Sequence, residues 1–171
     1  MSQVRERILD TASELFYQKG IQAVGVDAII TEAEVARMSF YRHFQSKEGL
    51  VLAYLERREE QWQAWLRAEV ERLAPDPADR PLAIFKALAL RLATPRYRGC
   101  AFINAMTEAA DREGATFQAA ASLKGRTERY IADLLHKAGH SKALAQDFMI
   151  LLDGAILSWV RDEDPGAALR A

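Results

Sequence analysis

The sequence predicts an all-α protein of three short helices followed by several longer ones. Three observations predict it. Apolar residues recur at three- and four-residue steps in nearly every segment. No stretch alternates apolar and polar residues as a half-buried strand does. The breaks between periodic segments carry helix punctuation, such as "QKG" at 18–20 and "APDPADRP" at 74–81. Of the 171 residues, 50% are hydrophobic and 27% charged, a globular composition with chain enough for a real core. The net charge is −1, so a polyanionic partner would have to be met by a local patch. A single cysteine, Cys100, leaves no internal disulfide and fits a reducing compartment. "MSQVRERILD" lacks the apolar stretch of a signal peptide, and no apolar run nears the roughly 20 residues of a spanning helix. A cytoplasmic protein is expected.

The elements follow in order. Val4, Ile8, Ala12, Leu15 and Phe16 set one helical face from Val4 to Lys19, and Gly20 supplies a C-terminal signal. Val26–Ala33 reads as a short helix with Ile29 and Ile30 inward and Asp27 in its first turn. Arg37–Phe44 reads as another, and Ser46 suits the N-cap of a long helix from Lys47 to about Leu73. Breaks at 74–81, 94–99, 111–116 and 138–142 leave helices near 82–93, 100–110, 116–138 and 143–161. "DEDPGAALRA" reads as a turn and an unfinished helix, which suggests a longer natural chain. The change from short to long helices divides the chain into 1–46 and 47–171. No flexible linker marks that division, and both parts are expected to share the helix that begins at Lys47.

The stretch "MSFYRHFQSK" (38–47) carries most of the functional information. At about 100° per residue, Phe40 and Phe44 fall together, while Ser39, Arg42 and His43 lie on the far side. Arg37, Met38 and Tyr41 flank the two faces. From Ala36 to Lys47 the basic residues are Arg37, Arg42 and Lys47, with no Asp or Glu. Such a face suits DNA: Arg37 and Arg42 can fork onto guanine or phosphate, and Ser39, Tyr41 and His43 can donate to phosphate oxygens. Lys47 in a first turn opposes the helix dipole unless a phosphate sits there. A solvated basic face fits the same residues, since residues 1–58 hold eight basic and eight acidic side chains.

Order and spacing add more. Residues 8–50, with "LFYQKG", "VDAI" and "VARMSFYRHFQSKEGL", resemble the DNA-binding domain of the TetR family of bacterial transcriptional regulators. The resemblance implies an N-terminal three-helix helix-turn-helix DNA-binding domain, then a helical ligand-binding and dimerisation domain. "GCAFINA" (99–105) is similar to a segment in some members. Carried over by position, Arg37, Met38, Ser39, Tyr41 and Arg42 would face bases or adjoining phosphates. His43 and Lys47 would grip phosphate, and Phe40 and Phe44 would be core. Three positions depart from the pattern: Gly25 replaces a frequent threonine, Glu34 a frequent turn glycine, and Ala36 a usual capping residue. A left-handed Glu34 would cost on the order of 1 kcal/mol, and the missing Ala36 cap roughly 0.5–2 kcal/mol.

In the larger part, Trp62, Trp65, Phe85, Phe102, Met106, Phe117, Tyr130 and Phe148 are candidates for a pocket, with Asn104 or Glu108 as polar selectors. The first reading of each is ordinary core, since aromatics at helical spacing are what a bundle core contains. Such a pocket would favour an apolar or planar effector, or a lipophilic cation if a carboxylate points in. The segment 147–160 is apolar around most of its circumference. Leu151, Gly154, Ala155 and Ser158 are candidates for a homodimer interface, against the alternative of a central core helix.

The function expected is that of a repressor binding palindromic operator DNA as a homodimer and released by a small molecule. The alternative is a helical DNA-architectural or protein-interaction protein on the same fold. No catalytic motif is present, and no cofactor is implied. Asp133, His136 and His140 are spaced like metal ligands, but Gly139 is expected to end the helix before His140, so no metal site is expected. Cys100 reads as a small residue for packing, with redox sensing the alternative.

Overall fold

The computed structural model describes residues 2–171, and every regular element among them is helical. The helices are α1 (Gln3–Lys19), α2 (Val26–Glu32), α3 (Arg37–Phe44), α4 (Lys47–Leu73), α5 (Arg80–Leu92), α6 (Ala101–Glu108), α7 (Ala115–Lys137), α8 (Leu144–Asp162) and α9 (Ala167–Arg170). Among the described residues no helix is long and apolar enough to cross a membrane. Two compact units result. One runs to Arg58 and takes in Ala101–Leu123; the other comprises Glu59–Cys100 and Lys124–Ala171.

In the first unit α1 packs on α2 and α3, and α2 on α3. The buried face of α1 is Ile8, Leu9, Ala12 and Phe16, the three- and four-residue pattern read from the sequence. Gly20 ends the helix at φ +93, and its N–H donates to the Phe16 carbonyl at 3.0 Å. Ile29, Phe40, Phe44, Leu50, Val51, Tyr54 and Leu55 are also buried. Phe16 meets Tyr54 edge-on at 5.5 Å between ring centroids. Arg57 of α4 ion-pairs with Glu6 and Asp10 of α1, and Arg58 lies 4.0 Å over the Tyr17 ring. From α6, Ala101, Phe102 and Ala105 are buried. The Glu108 carboxylate accepts the Gln22 backbone N–H at 2.8 Å in the loop after α1.

The second unit has its own core, including Leu66, Val70, Ile84, Leu88, Leu92, Ile131, Leu135 and Leu152. The Asp76 side chain accepts the Ala78 N–H at 2.9 Å and starts a short 3-10 turn, Pro77–Asp79, that leads into α5. Helix α5 begins at Arg80, two residues before the sequence expectation. Pro81 sits in its first turn, where a missing N–H leaves no bond unmade. Helix α7 ends at Lys137, and Gly139 follows at φ +82. His140 therefore lies past the helix, its N–H bonded to the Leu135 carbonyl at 2.8 Å. The tail forms α9, which buries Ala167 and Ala168 and packs on α5 and α8.

Candidate nucleic-acid interface

Helix α3 presents two chemically distinct faces. Phe40 is fully buried and Phe44 is 5% exposed, with ring centroids 6.2 Å apart. On the other side Met38 is 73% and Tyr41 42% exposed, and Arg42 is exposed as well. Ser39 and His43 are half-buried. Phe40 meets Tyr41 edge-on at 5.2 Å, which braces the phenol from beneath. The buried rings thus orient a helix whose outer face carries donors and no carboxylate.

Two features prepare the next helix. Ser46 Oγ accepts the Gly49 N–H at 3.0 Å, the N-cap bond expected of that serine. Lys47 is half-buried in the first turn, beside the positive end of the α4 dipole. Gly49 is needed at this corner: a Cβ there would stand 2.3 Å from the Phe44 carbonyl oxygen.

The three departures noted in the sequence have structural counterparts. Gly25 and Ala36 stand as N-caps of α2 and α3 with no side-chain cap bond. Glu34 is left-handed, with φ 51, in the turn between those helices. Its carbonyl accepts from Arg7 Nη2 at 3.2 Å. One pairing was not visible in the sequence. Arg37 ion-pairs with Asp27 of α2, both side chains being largely exposed. An exposed pair of this kind contributes little to stability.

The aromatic candidates divide between the two units. Trp62, Trp65, Phe85, Tyr130 and Phe148 lie in the second, whereas Phe102, Asn104, Met106 and Phe117 lie in the first. Within the second, Trp62 and Trp65 are 5.4 Å apart, and Phe85 and Phe148 5.3 Å. Tyr130 is 5% exposed with Arg67 4.1 Å over its ring. Burial pushes its phenol above the ordinary value, and Arg67 pulls the other way. In the first unit Phe102 is buried and Arg112 lies 5.4 Å over Phe117. Glu108, named as a polar selector, accepts the Gln22 backbone N–H.

Helix α8 is apolar on two opposite stripes. Leu152, Ala155 and Ile156 point into the core, so Ala155 is not on the outer surface. The outer stripe holds Ile150 (69% exposed), Leu151 (42%), Gly154 and Leu157 (55%), with Ser158 half-buried at its edge. Among the described residues no three His, Cys, Asp or Glu gather as metal ligands would. Cys100 is half-buried.

Comparison with known proteins decides the family. The family model for bacterial regulatory proteins of the tetR family matches residues 8–54. The crystal structure of a TetR-family transcriptional regulator from Streptomyces coelicolor superposes with a TM-score of 0.87, covering 98% of this chain and 89% of that one at 30% identity. The chain belongs to the TetR family. Its α2 and α3 are accordingly the helix-turn-helix of a TetR-family transcriptional regulator. The Escherichia coli K12 repressor NemR is 42% identical over 53 residues, which are 31% of this chain and 27% of NemR. The activator FasR of Mycolicibacterium smegmatis is 43% identical over 53 residues, 31% of this chain and 24% of FasR. This TetR-family chain therefore matches only about a quarter of the length of each of those two curated relatives. All three relatives are transcriptional regulators, and the two curated ones act with opposite sign.

Proposed function

We propose that the chain is a repressor that binds palindromic operator DNA as a homodimer and is released by a small-molecule effector. Residues 1–46 read the DNA, and 47–171 hold the effector and the second copy. The observation that carries this reading is the outer face of α3, where exposed Met38, Tyr41 and Arg42 stand opposite buried Phe40 and Phe44 with no acid among them. Arg37, Met38, Ser39, Tyr41 and Arg42 face bases or adjoining phosphates in the major groove. His43 and Lys47 grip phosphate, the latter with the α4 N-terminus. The homodimer rests on the outer stripe of α8, where Ile150, Leu151, Gly154 and Leu157 have no cover in the single chain. Two such chains would set their α3 helices about 34–36 Å apart, one DNA turn. The effector is apolar or aromatic and lies against the aromatic residues of the second unit, Trp62, Trp65, Phe85, Tyr130 and Phe148. Its binding shifts the dimer toward a spacing that no longer fits the groove. Such a regulator works in the cytoplasm, beside its DNA.

Selection from random duplex DNA at near-physiological salt, with wild type and Arg42→Ala in parallel, tests the reading. Wild type alone should enrich an inverted repeat. The variant should bind that repeat roughly 5- to 150-fold more weakly, the worth of one good base contact. Equal, sequence-blind retention by both proteins would sink the assignment and favour an architectural role.

A further inference from the structure

An ion pair bridges the two helices of the helix-turn-helix. Arg37, the first residue of α3, donates from Nη2 to Oδ1 of Asp27 in the first turn of α2. Both side chains face solvent, Arg37 being 60% and Asp27 76% exposed. Glu32 and Glu34 are nearer in the chain and exposed too, yet the guanidinium bonds to Asp27. The helices beneath are anchored without the pair, by buried Ile29 on α2 and by buried Phe40 and Phe44 on α3. Gly25 and Ala36, at the two N-caps, make no side-chain bond that could compete. The pair thus has a defined place on the surface and little to do for stability.

What it does set is direction. A free arginine side chain loses its rotamer freedom when it binds, and a tether to a fixed carboxylate removes part of that freedom beforehand. The bond to Asp27 engages one of five N–H donors, and Nη1 and Nε have no partner among the described residues. A planar guanidinium held in this way presents its remaining donors as a fork that matches the O6 and N7 of guanine. The carboxylate beside it repels phosphate, so the pair suits a base edge better than the DNA backbone.

We propose that Asp27 and Arg37 act as one base-reading unit, in which Asp27 holds the Arg37 guanidinium so that its fork meets a guanine in the major groove of each half-site. This rests on the operator-binding reading above and names one base of the operator. Arg37 makes the contact, and Asp27 is its positioning residue. Since Asp27 also places a negative charge on the DNA-facing surface, it sharpens the choice of base at the expense of general affinity.

The test is selection from random duplex DNA with wild type, Arg37→Ala, Asp27→Ala and the double variant. Titrations follow against the selected repeat and against the repeat with the assigned guanine replaced in both half-sites. Wild type should prefer guanine there by roughly 5- to 150-fold per half-site, and Arg37→Ala should lose the preference at that position alone. Asp27→Ala should weaken the preference by about 2- to 12-fold, the freedom an untethered arginine must give up. It should also bind random-sequence DNA at least as tightly as wild type, an outcome that damage to the fold would not produce. In the double variant, removing Asp27 should change nothing beyond the loss of Arg37. Both sites are exposed, so all the variants should melt close to wild type. A guanine preference undiminished in Asp27→Ala overturns the proposal, as does an Asp27 effect that persists without Arg37. A loss spread over every position in Asp27→Ala overturns it too, since that marks a structural role. If wild type selects an inverted repeat with no guanine that depends on Arg37, the proposal falls and the operator-binding reading stands. If wild type selects no sequence, both fall.

Discussion

Replacing Gly49 with alanine should damage the corner between α3 and the long helix α4 that follows. The added Cβ would stand 2.3 Å from the Phe44 carbonyl oxygen, about 1 Å inside the closest ordinary carbon–oxygen approach. The obstruction is backbone, so relief requires moving either the end of α3 or the start of α4. Overpacking of this kind costs about 1–3 kcal/mol, while replacing a helical glycine by alanine returns about 0.5–1 kcal/mol. The net loss is about 1–2 kcal/mol, a fall of roughly 2–8 °C in midpoint for a chain of this size. Gly125→Ala in α7 is the internal standard, because its Cβ meets only Arg129 Nη1 at an ordinary 3.6 Å. That variant should melt slightly higher than wild type. Thermal unfolding followed by circular dichroism compares the two directly. If Gly49→Ala rises with Gly125→Ala, the close approach is not real and Phe44 does not fix the start of α4.

Other substitutions test other parts of the structure. Glu34→Gly should raise stability by about 1 kcal/mol in denaturant titration, because glycine accepts the left-handed backbone at φ 51 that glutamate resists. Ile150→Glu or Leu157→Glu on the outer stripe of α8 should yield monomers in light scattering, while Leu152→Ala should destabilise the chain by about 2–5 kcal/mol instead. The Arg170 hydrogen bond, and then the Gly166 N–H, hold the Asp164 carboxyl below its ordinary value. A depressed folded value means the tether to α9 is intact above the unfolded carboxyl's pKa and is lost as pH falls through the folded one. Asp164→Asn should therefore show a smaller acid-induced change in melting than wild type, and added salt should shrink the difference.

The helices were legible because each depends on local signals. The α1 stripe, the Gly20 and Gly139 stops, the Ser46 cap and the two faces of α3 are all written within a few residues of where they act. What could not be read depends on which distant side chains meet. The Arg37–Asp27 pair needs the angle between α2 and α3, and the Glu59–Arg126 pair joins residues 67 apart in the chain. Helix α8 shows the limit of periodicity. It is apolar on opposite sides, so Leu151, Ala155 and Ser158 share a stripe as plausibly as Leu152, Ala155 and Ile156, and only packing sends Ala155 inward. The division of the aromatic candidates between the two compact units was hidden for a related reason. Residue type marks them for burial, but not for burial in the same unit.

The Glu108–Gln22 bond constrains how this protein can be cut and recombined. The segment that matches the family model ends at residue 54 and looks like a portable DNA reader. Yet the compact unit to which it belongs also includes Ala101–Leu123, and the loop after α1 takes its carboxylate acceptor from residue 108. A chimera spliced at residue 54 would carry α1, α2 and α3 away without that acceptor and without the buried side chains of α6. A foreign sensor must therefore supply its own equivalent of α6, or the graft must bring residues 101–123 with it as a second, separate insert.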